Sequence, residues 1–481
     1  MTIAFLSDLH LPYHADAVQY RFFRWALPKA AETADLLVIA GDFTAAADRE
    51  AIDAFAAELK TYPLPTVILC GNSEYRNTME NAQAALSLQS PAVTKTADWT
   101  ILSLCDGNAA IPEEVYDALA AADERTLVVG HHPLRSLRSP HRERMQAWRN
   151  SHAAVPLFTA HLHQFRRPDP YTTELPAADP DKAIGEEPSF LLYDTDTGET
   201  RQMFYHTPVP QDFSEWLGLS CRDPEIDLPY AIRNKIRYVE LRADAVKRER
   251  TSLLPLLEQW RRSGGKMLSL HAPDVHPDPQ KNGAWAEFAS FAAELQADRI
   301  TLHVPKTSVA SVREDPKILH RMASFVGKAL RDLPDSLVIG VENMHMTEHE
   351  NPDEKRRFGY IPEECRLWRD ALSSASGKSC GLHLDIGHAR NNRPYSEKYC
   401  LGAWYAEIGR EIVGYHLHQI DRRGDKWENH TPIDGWFGPL ISYAGFLDAW
   451  SCGQLAKAPL FLEIRTPRGY EVTVNALPRR I

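Results

Sequence analysis

Five short motifs recur in order through the first third of this 481-residue chain: Asp8-Leu9-His10, Gly41-Asp42, Gly71-Asn72, Gly130-His131 and His161-Leu162-His163. Each closes an apolar run, respectively Ile3–Asp8, Asp35–Asp42, Thr66–Asn72, Thr126–His132 and Val155–His163. Carboxylate and amide oxygens set beside imidazoles suit borderline divalent metals such as Mn, Fe or Zn. A carboxylate such as Asp42 can bridge two ions about 4 Å apart, the separation that clamps an in-line displacement at phosphorus. A single Asp-x-His or Gly-Asp pair carries little information. Five in succession at strand tips point to one metal centre.

The second half repeats this logic. Almost every β-like run there ends on a metal-ligand type: His271, His303, Glu342, Asp385, His416 and Glu463. A lone histidine at a strand end is more often a rim residue, but six such groups at matching positions favour a shared site. His418, two residues beyond His416 on the same strand face, competes with it as a ligand and ranks below it.

The elements that must position these residues follow from the pattern of apolar runs. In the first half the strands, with Trp99–Asp106 added, alternate with helical stretches such as Ala51–Tyr62 and Pro112–Ala122. Ser189–His206 reads as a closing hairpin around Asp-Thr-Gly. The stretch 166–188, rich in Pro, Asp and Ala, reads as an irregular excursion, and Pro208 and Pro210 mark a linker. From Ser214 a second alternation begins, with strands at Trp216–Cys221, Ile236–Arg242, Met267–Pro273, Arg299–Pro305, Leu337–Met344, Cys380–His388, Ile412–Asp421 and Pro459–Arg465. Leu253–Gly265, Trp285–Ala297 and Ile318–Leu330 supply helices between them. Eight such units form a (β/α)8 barrel, whose C-terminal strand ends carry the chemistry. The expected domains are 1–206, a linker at 207–213, and 214–481. The fold class is α/β: an N-terminal α/β sandwich plus a C-terminal TIM barrel.

Composition narrows the setting. With 43% hydrophobic and 25% charged residues the chain is of ordinary globular type, and it has no run of eighteen apolar residues. Its N-terminus lacks the basic start of a secretory signal, and its seven cysteines form no Cys-x-x-Cys pair. A cytoplasmic protein with no membrane partner is expected. The net charge of −11 argues against broad nucleic-acid binding, so any grip on a polyanion is local.

In motif order and spacing, residues 1–206 resemble the calcineurin-like metallophosphoesterases. The resemblance implies that Asp8, His10, Asp42 and His163 hold one metal and that Asp42, Asn72, His131 and His161 hold the other. Metal-activated water would attack phosphorus, with Asp42, Asn72 and His131 at the catalytic centre. The family places a histidine directly after the asparagine of its third motif, where it assists the leaving group. Here Ser73 follows Asn72, and His132, Glu74 and His14 are the candidates to replace it.

Residues 214–481 resemble the xylose-isomerase-like barrels, with Glu342, Asp385, His416 and Glu463 as the shared set. His271, His303, His388 and the triplet Glu428-Asn429-His430 extend the likeness to endonuclease IV. That likeness implies three metals. The first lies on His271, His303 and Glu342, the second on Glu342, Asp385, His416 and Glu463, and the third on His388, Glu428 and His430. Glu428 stands where the family has aspartate. One to three divalent ions (Zn, Mn or Fe) are expected in the barrel, with Glu342 catalytic, beside two in the N-terminal domain.

Candidate grips on a substrate are Arg135, within an arginine-rich stretch that also holds Arg138, Arg142, Arg144 and Arg149, and the pair Arg422 and Arg423. Trp427, Trp436 and Phe437 would stack on a base or cover the barrel mouth. The expected activity is metal-dependent hydrolysis of a phosphomono- or phosphodiester in a nucleotide, a nucleic-acid end or a phosphorylated small molecule. One alternative is a phosphatase fused to a sugar isomerase or epimerase. Another makes one domain a degenerate binding module.

Overall fold

The computed structural model describes residues 1–207, 209–242, 250–346, 356–423 and 426–477; Pro208, on the expected linker, and the side chain of Arg423 lie outside them. Two compact units result. One comprises Met1–Pro208 together with Pro439–Asp448, and the other Val209–Gly438 with Ala449–Ile481.

Among the described residues the N-terminal unit has eleven strands: β1 (Thr2–Leu6), β2 (Leu36–Ala40), β3 (Thr66–Leu69), β4 (Val93–Lys95), β5 (Thr100–Ser103), β6 (Thr126–Val129), β7 (Leu157–Thr159), β8 (Arg166–Asp169), β9 (Thr172–Glu174), β10 (Ser189–Asp194) and β11 (Thr200–Phe204). They form two sheets, ordered β11-β10-β1-β2-β3 and β4-β5-β6-β7-β9-β8. The period of two in the strands decides which layer each side chain joins. Ile3, Phe5 and Val38 face Leu127, Val129 and Phe158 between the sheets. Ala4, Leu6, Leu37 and Ile39 point outward, onto Tyr20, Phe23 and Phe55 of the flanking helices. Val128 and Leu102 likewise meet Val115, Leu119 and Trp148 on the outside of the second sheet. The unit is therefore a sandwich of two sheets between helical layers.

The stretch 166–188 is more ordered than its composition suggests. It contains the antiparallel pair β8 and β9, and residues 175–183 are buried. Polar residues are tolerated there because they answer one another: the Gln19 amide donates to Asp179 (2.9 Å) and Asp181 (3.0 Å). The segment Pro439–Asp448, which the alternation in sequence places inside the barrel, belongs to this unit. Its Ser442 and Gly445 N–H groups donate to the Asp181 and Pro180 carbonyls, and Asp448 pairs with Arg21.

In the second unit, β12 (Leu217–Cys221), β13 (Tyr238–Leu241), β14 (Met267–His271), β15 (Arg299–His303), β16 (Val338–Glu342), β17 (Ser379–Asp385), β18 (Ile412–Leu417) and β21 (Leu460–Leu462) close a parallel barrel in sequence order. A hairpin of β19 (Gln419–Arg423) and β20 (Lys426–Thr431) follows β18. The barrel interior is polar where an aliphatic layer is the norm. Arg299 and Glu240 are fully buried, and the Arg299 guanidinium donates to Ser269 (3.0 Å), Thr301 (2.6 Å) and His383 (2.6 Å). Glycine makes the room: a Cβ at Gly340 on β16 would lie 2.1 Å from Arg299 Nη2.

Gly340→Ala therefore overpacks a charged group that has no alternative lodging. A loss of about 1–3 kcal/mol is expected, read as a Tm several degrees lower for the barrel by calorimetry. An unchanged melting transition would mean that the guanidinium does not occupy this space.

Candidate metal centres

In the N-terminal unit the loops past β1 and β2 go on pairing after the strands end. The Asp8 N–H donates to the Gly41 carbonyl (3.1 Å) and the His10 N–H to that of Asp42 (2.9 Å). To aim their side chains at one point, Asp8 (φ 52°), His10 (45°), Asp42 (49°), His161 (72°) and His163 (59°) take left-handed backbone. Non-glycine residues are uncommon there and cluster where surrounding structure over-determines them. Gly41 lies so close to the next ligand that a Cβ would sit 2.4 Å from His131 Nδ1.

The ligand-type side chains meet in two lobes. In one, the Nε2 atoms of His10 and His163 are 3.3 Å apart, and Asp8 Oδ1 is 3.4 Å from His163. In the other, Asn72 Oδ1 lies 3.2 Å from His131 Nε2 and 2.8 Å from His161 Nδ1. Asp42 stands between the lobes, with Oδ1 3.4 Å from His131 Nε2 and Oδ2 3.8 Å from His10 Nε2.

Charge follows from this crowding. Burial raises the Asp8 carboxyl, but His163 and its neighbours overcome that and hold it down at about 2. Burial lowers His131, but Asp42 and Asp8 prevail and bring it up to about 9. Burial and the two neighbouring imidazoles push His161 down to about 4.

Two further acids, Asp106 and Glu74, set the geometry. Asp106, fully buried, accepts from the His131 N–H (2.7 Å) and the His132 N–H (2.8 Å). His131 Nδ1 faces the Ala40 carbonyl at 3.0 Å, and His132 Nδ1 faces that of Asp106 at 2.9 Å. Each ring therefore donates through Nδ1, which leaves Nε2 as a lone pair toward the centre. Glu74 accepts from the backbone N–H groups of Asp42 (3.0 Å), Thr44 (2.9 Å) and Gly71 (2.8 Å) and from the Thr44 hydroxyl (2.8 Å). Burial and Asp42 push its pKa up to about 8, while all four donors serve its ionised form. Glu74 is thus occupied in fastening the second motif to the third. Of the candidates to stand in for the missing histidine, His132 has its free nitrogen among the ligand atoms of His131 and His161.

The barrel gathers its acids and imidazoles at the C-terminal strand ends. His271, His303 and Glu342 form one group. Glu342, Asp385, His416 and Glu463 form a second, and Asp385, His418 and His430 a third; within each group the ligand atoms lie inside 4.8 Å of one another. Glu342 Oε2 is 3.0 Å from His271 Nε2 and 3.5 Å from His303 Nε2, and its Oε1 is 3.1 Å from His416 Nδ1. Glu463 Oε2 is 3.2 Å from His416 Nδ1. Asp385 Oδ1 is 3.1 Å from His418 Nε2. Asn343 clamps the strands by accepting from the Asp385 N–H (2.8 Å) and donating to its carbonyl (3.0 Å).

His388 is buried beside this cluster, its Nδ1 3.0 Å from the Asn343 carbonyl and 3.6 Å from Asp385 Oδ2. Glu428 is exposed on β20 and belongs to none of these three groups. The pleat explains the exchange with His418: Glu428 faces outward on the hairpin, whereas His418 follows the inward-directed end of β18.

Three side chains outside the sequence-derived set hold this cluster. Glu240 Oε1 lies 2.7 Å from His416 Nε2, on the far side of the ring from Glu342, and its other oxygen accepts from the Ser269 and Thr301 hydroxyls. Asp274 Oδ1 holds His303 Nδ1 at 3.2 Å and pairs with Lys306. Burial lowers His416, but Glu342 and Glu240 outweigh it and bring it up to about 10. Arg299 supports Glu240 from below at 3.6 Å.

Both donor sets suit divalent cations. Asp8 Oδ1, His10 Nδ1, Asp385 Oδ2 and both nitrogens of His430 are buried without hydrogen-bond partners. Such groups are costly in a protein interior unless something neutralises them.

The expected substrate grips fare differently. Arg135 pairs with the buried Glu174, Arg144 pairs with Glu113 and lies over the Tyr116 ring, and Arg149 is bound inward to the Val155 carbonyl and Thr172. Arg422 is exposed on β19, Trp427 is half exposed on β20, and Trp436 is buried against Phe213. Among the described residues no helix is long and apolar enough to cross a membrane.

Residues 1–165 match the calcineurin-like phosphoesterase family. Solved structures are similar over parts of the chain. A D-tagatose 3-epimerase-like protein is 18% identical over 55% of this chain and 95% of its own, with a TM-score of 0.40. Endonuclease IV from Thermus thermophilus is 15% identical over 55% and 96%, with a TM-score of 0.39. An archaeal phosphodiesterase is 14% identical over 43% and 100%, with a TM-score of 0.27. No curated protein matches the sequence.

Because Glu240 fixes the tautomer and tilt of His416, Glu240→Gln is expected to weaken divalent-metal retention in the barrel by about 10- to 100-fold. Competition with a chelator, followed by elemental analysis of the full chain, measures this. Retention equal to that of the parent would mean that the carboxylate serves packing alone.

Proposed function

We propose, on the premise of a calcineurin-like phosphoesterase domain at the N-terminus, that this protein hydrolyses phosphoesters with divalent metals in both units. The observation that carries the reading is Asp42, whose two carboxylate oxygens face opposite lobes, toward His131 and toward His10. A bridging carboxylate between two imidazole-rich sets is the arrangement a two-metal hydrolase needs. Asp8, His10, Asp42 and His163 would hold one cation, and Asp42, Asn72, His131 and His161 the other. Bound there, the cations would neutralise charge on the phosphoryl group and acidify water.

The protein's own groups do the rest. His131 is held by the Ala40 carbonyl and Asp106, so it presents one fixed nitrogen. His132 is the side chain best placed to move a proton at the leaving group, the task that Ser73 cannot perform. In the barrel, Glu342 and Asp385 are each shared between two groups of ligands, which supports a multinuclear centre acting on phosphoesters. A sugar isomerase or epimerase needs only one or two cations, so metal content separates the readings. The substrate is a phosphorylated small molecule, a nucleotide or a nucleic-acid end.

Asp42→Asn and Glu342→Gln in the full chain, assayed against a panel of phosphomono- and phosphodiesters, test the two halves separately. Each is expected to lower turnover of its own substrates by about 10²- to 10³-fold, the rate equivalent of several kcal/mol of lost charge stabilisation. Panel activity unchanged by both substitutions would overturn the hydrolytic reading.

A further inference from the structure

Three neighbouring barrel strands each place an arginine just beyond their C-terminal ends. Arg222 follows β12, Arg242 follows β13 and Arg465 follows β21, with β12 lying between the other two in the sheet. Arg242 pairs with Glu463 through that residue's Oε1, while Glu463 Oε2 turns the other way, 3.2 Å from His416 and 3.5 Å from His430. The Arg222 Nη1 donates to the Arg465 carbonyl at 3.0 Å. Among the described residues, neither Arg222 nor Arg465 makes an ion pair. Arg242 Nη1 is buried and, apart from the Glu463 pair, makes no hydrogen bond.

A cavity of about 280 Å³ has a lining that includes Arg222, Arg465, Ser220, Tyr470 and the acids Asp223 and Asp227, with Arg242 outside that lining. Asp227 does not compete for the guanidinium groups, since it accepts from the backbone N–H groups of Arg222 and Asp223, both at 2.9 Å. Like charges are thus held together with few acceptors of their own.

We propose that Arg222 and Arg465, with Arg242 anchored beside them on Glu463, form an anion seat for the phosphoryl group of a small phosphorylated substrate, such as a sugar phosphate, placed beside the barrel's carboxylate–imidazole cluster. Guanidinium forks match phosphate oxygens two at a time, and Arg is the side chain of choice for this task. The cavity is at the small end for ligand sites, the size of one phosphoryl group with a short sugar and not of a nucleic-acid strand. Glu463 links the seat to the cluster: one oxygen orients Arg242 and the other belongs to the ligand group with His416. A phosphoryl group held here is non-reacting, and its binding energy positions the rest of the molecule over the cluster. The inference rests on the barrel half of the reading above and names its substrate class.

Binding is tested apart from turnover. Inorganic phosphate, ribose 5-phosphate and a short single-stranded oligonucleotide are titrated calorimetrically into the full chain carrying Asp8→Asn and Asp42→Asn, which silence the N-terminal centre. Metal content is measured on the same samples. Arg465→Gln and Arg222→Gln are each expected to weaken phosphate and ribose 5-phosphate by about 10-fold or more, in line with the loss of a charge-assisted hydrogen bond. Arg465→Lys, which keeps the charge and loses the fork, is expected to weaken both without altering the melting curve. Arg262→Gln, an exposed control paired with Glu258, leaves them within about twofold.

Unchanged binding in the arginine variants, with metal retained, overturns the seat. So does a response of the oligonucleotide alone. Intact arginine-dependent binding, together with turnover indifferent to Glu342→Gln, would instead remove the barrel's hydrolytic role and leave the seat standing.

Discussion

Everything in this molecule is arranged around one difficulty: carboxylates and imidazoles are buried together in two places, where neither is comfortable alone. A lone ionised carboxylate in a protein interior carries a large desolvation penalty. Here burial raises Asp8, Glu342 and Asp385, and in each case the surrounding imidazoles reverse the shift and keep the carboxyl ionised. The imidazoles in turn divide into those whose proton affinity the carboxylates raise, such as His131 and His416, and those in which burial lowers it, such as His161 and His388. That division is a property of the cluster and not of any one residue.

A second layer of groups keeps these clusters in shape, and the two units use the same device. In the sandwich, Asp106 and the Ala40 carbonyl hold His131; in the barrel, Asp274 holds His303 and Glu240 holds His416. The Ala40, Asp274 and Glu240 contacts each engage one ring nitrogen and leave the other for the centre, while Asp106 fixes the His131 backbone. Two unrelated scaffolds have met the same demand, because both must present imidazole lone pairs in a fixed direction.

The ligand-type residues were legible in the sequence because they end strands, and strand ends are visible as apolar runs that stop on a polar residue. The sandwich and the eight-stranded barrel followed from the same signal. The supporting residues were not legible, for an equally physical reason. Glu240 and Arg299 lie inside or at the start of their strands, away from the C-terminal ends where ligands were sought, and only closure of the barrel brings them together beneath the cluster. Glu428 looked like a ligand by its neighbours in sequence, yet its strand pairs as a hairpin and directs it to solvent, while His418 lies inside. The hairpin β8–β9 escaped notice because its Arg, Pro and Asp residues give no apolar alternation, and the segment Pro439–Asp448 because its partners at Pro180 and Asp181 lie far away in the chain. Local composition says nothing of such pairings.

The left-handed backbone at Asp8, His10, Asp42, His161 and His163 limits how this centre can change over generations. Asp, Asn and His tolerate that region better than most residues, and β-branched ones tolerate it worst. Substitution there is filtered twice, once by ligand chemistry and once by torsion. A lineage that lost the metals would drift first toward asparagine or glycine, which relieve the strain and leave the loops in place. Descendants that no longer turn over substrate would thus keep the outline of the centre long after its chemistry had gone.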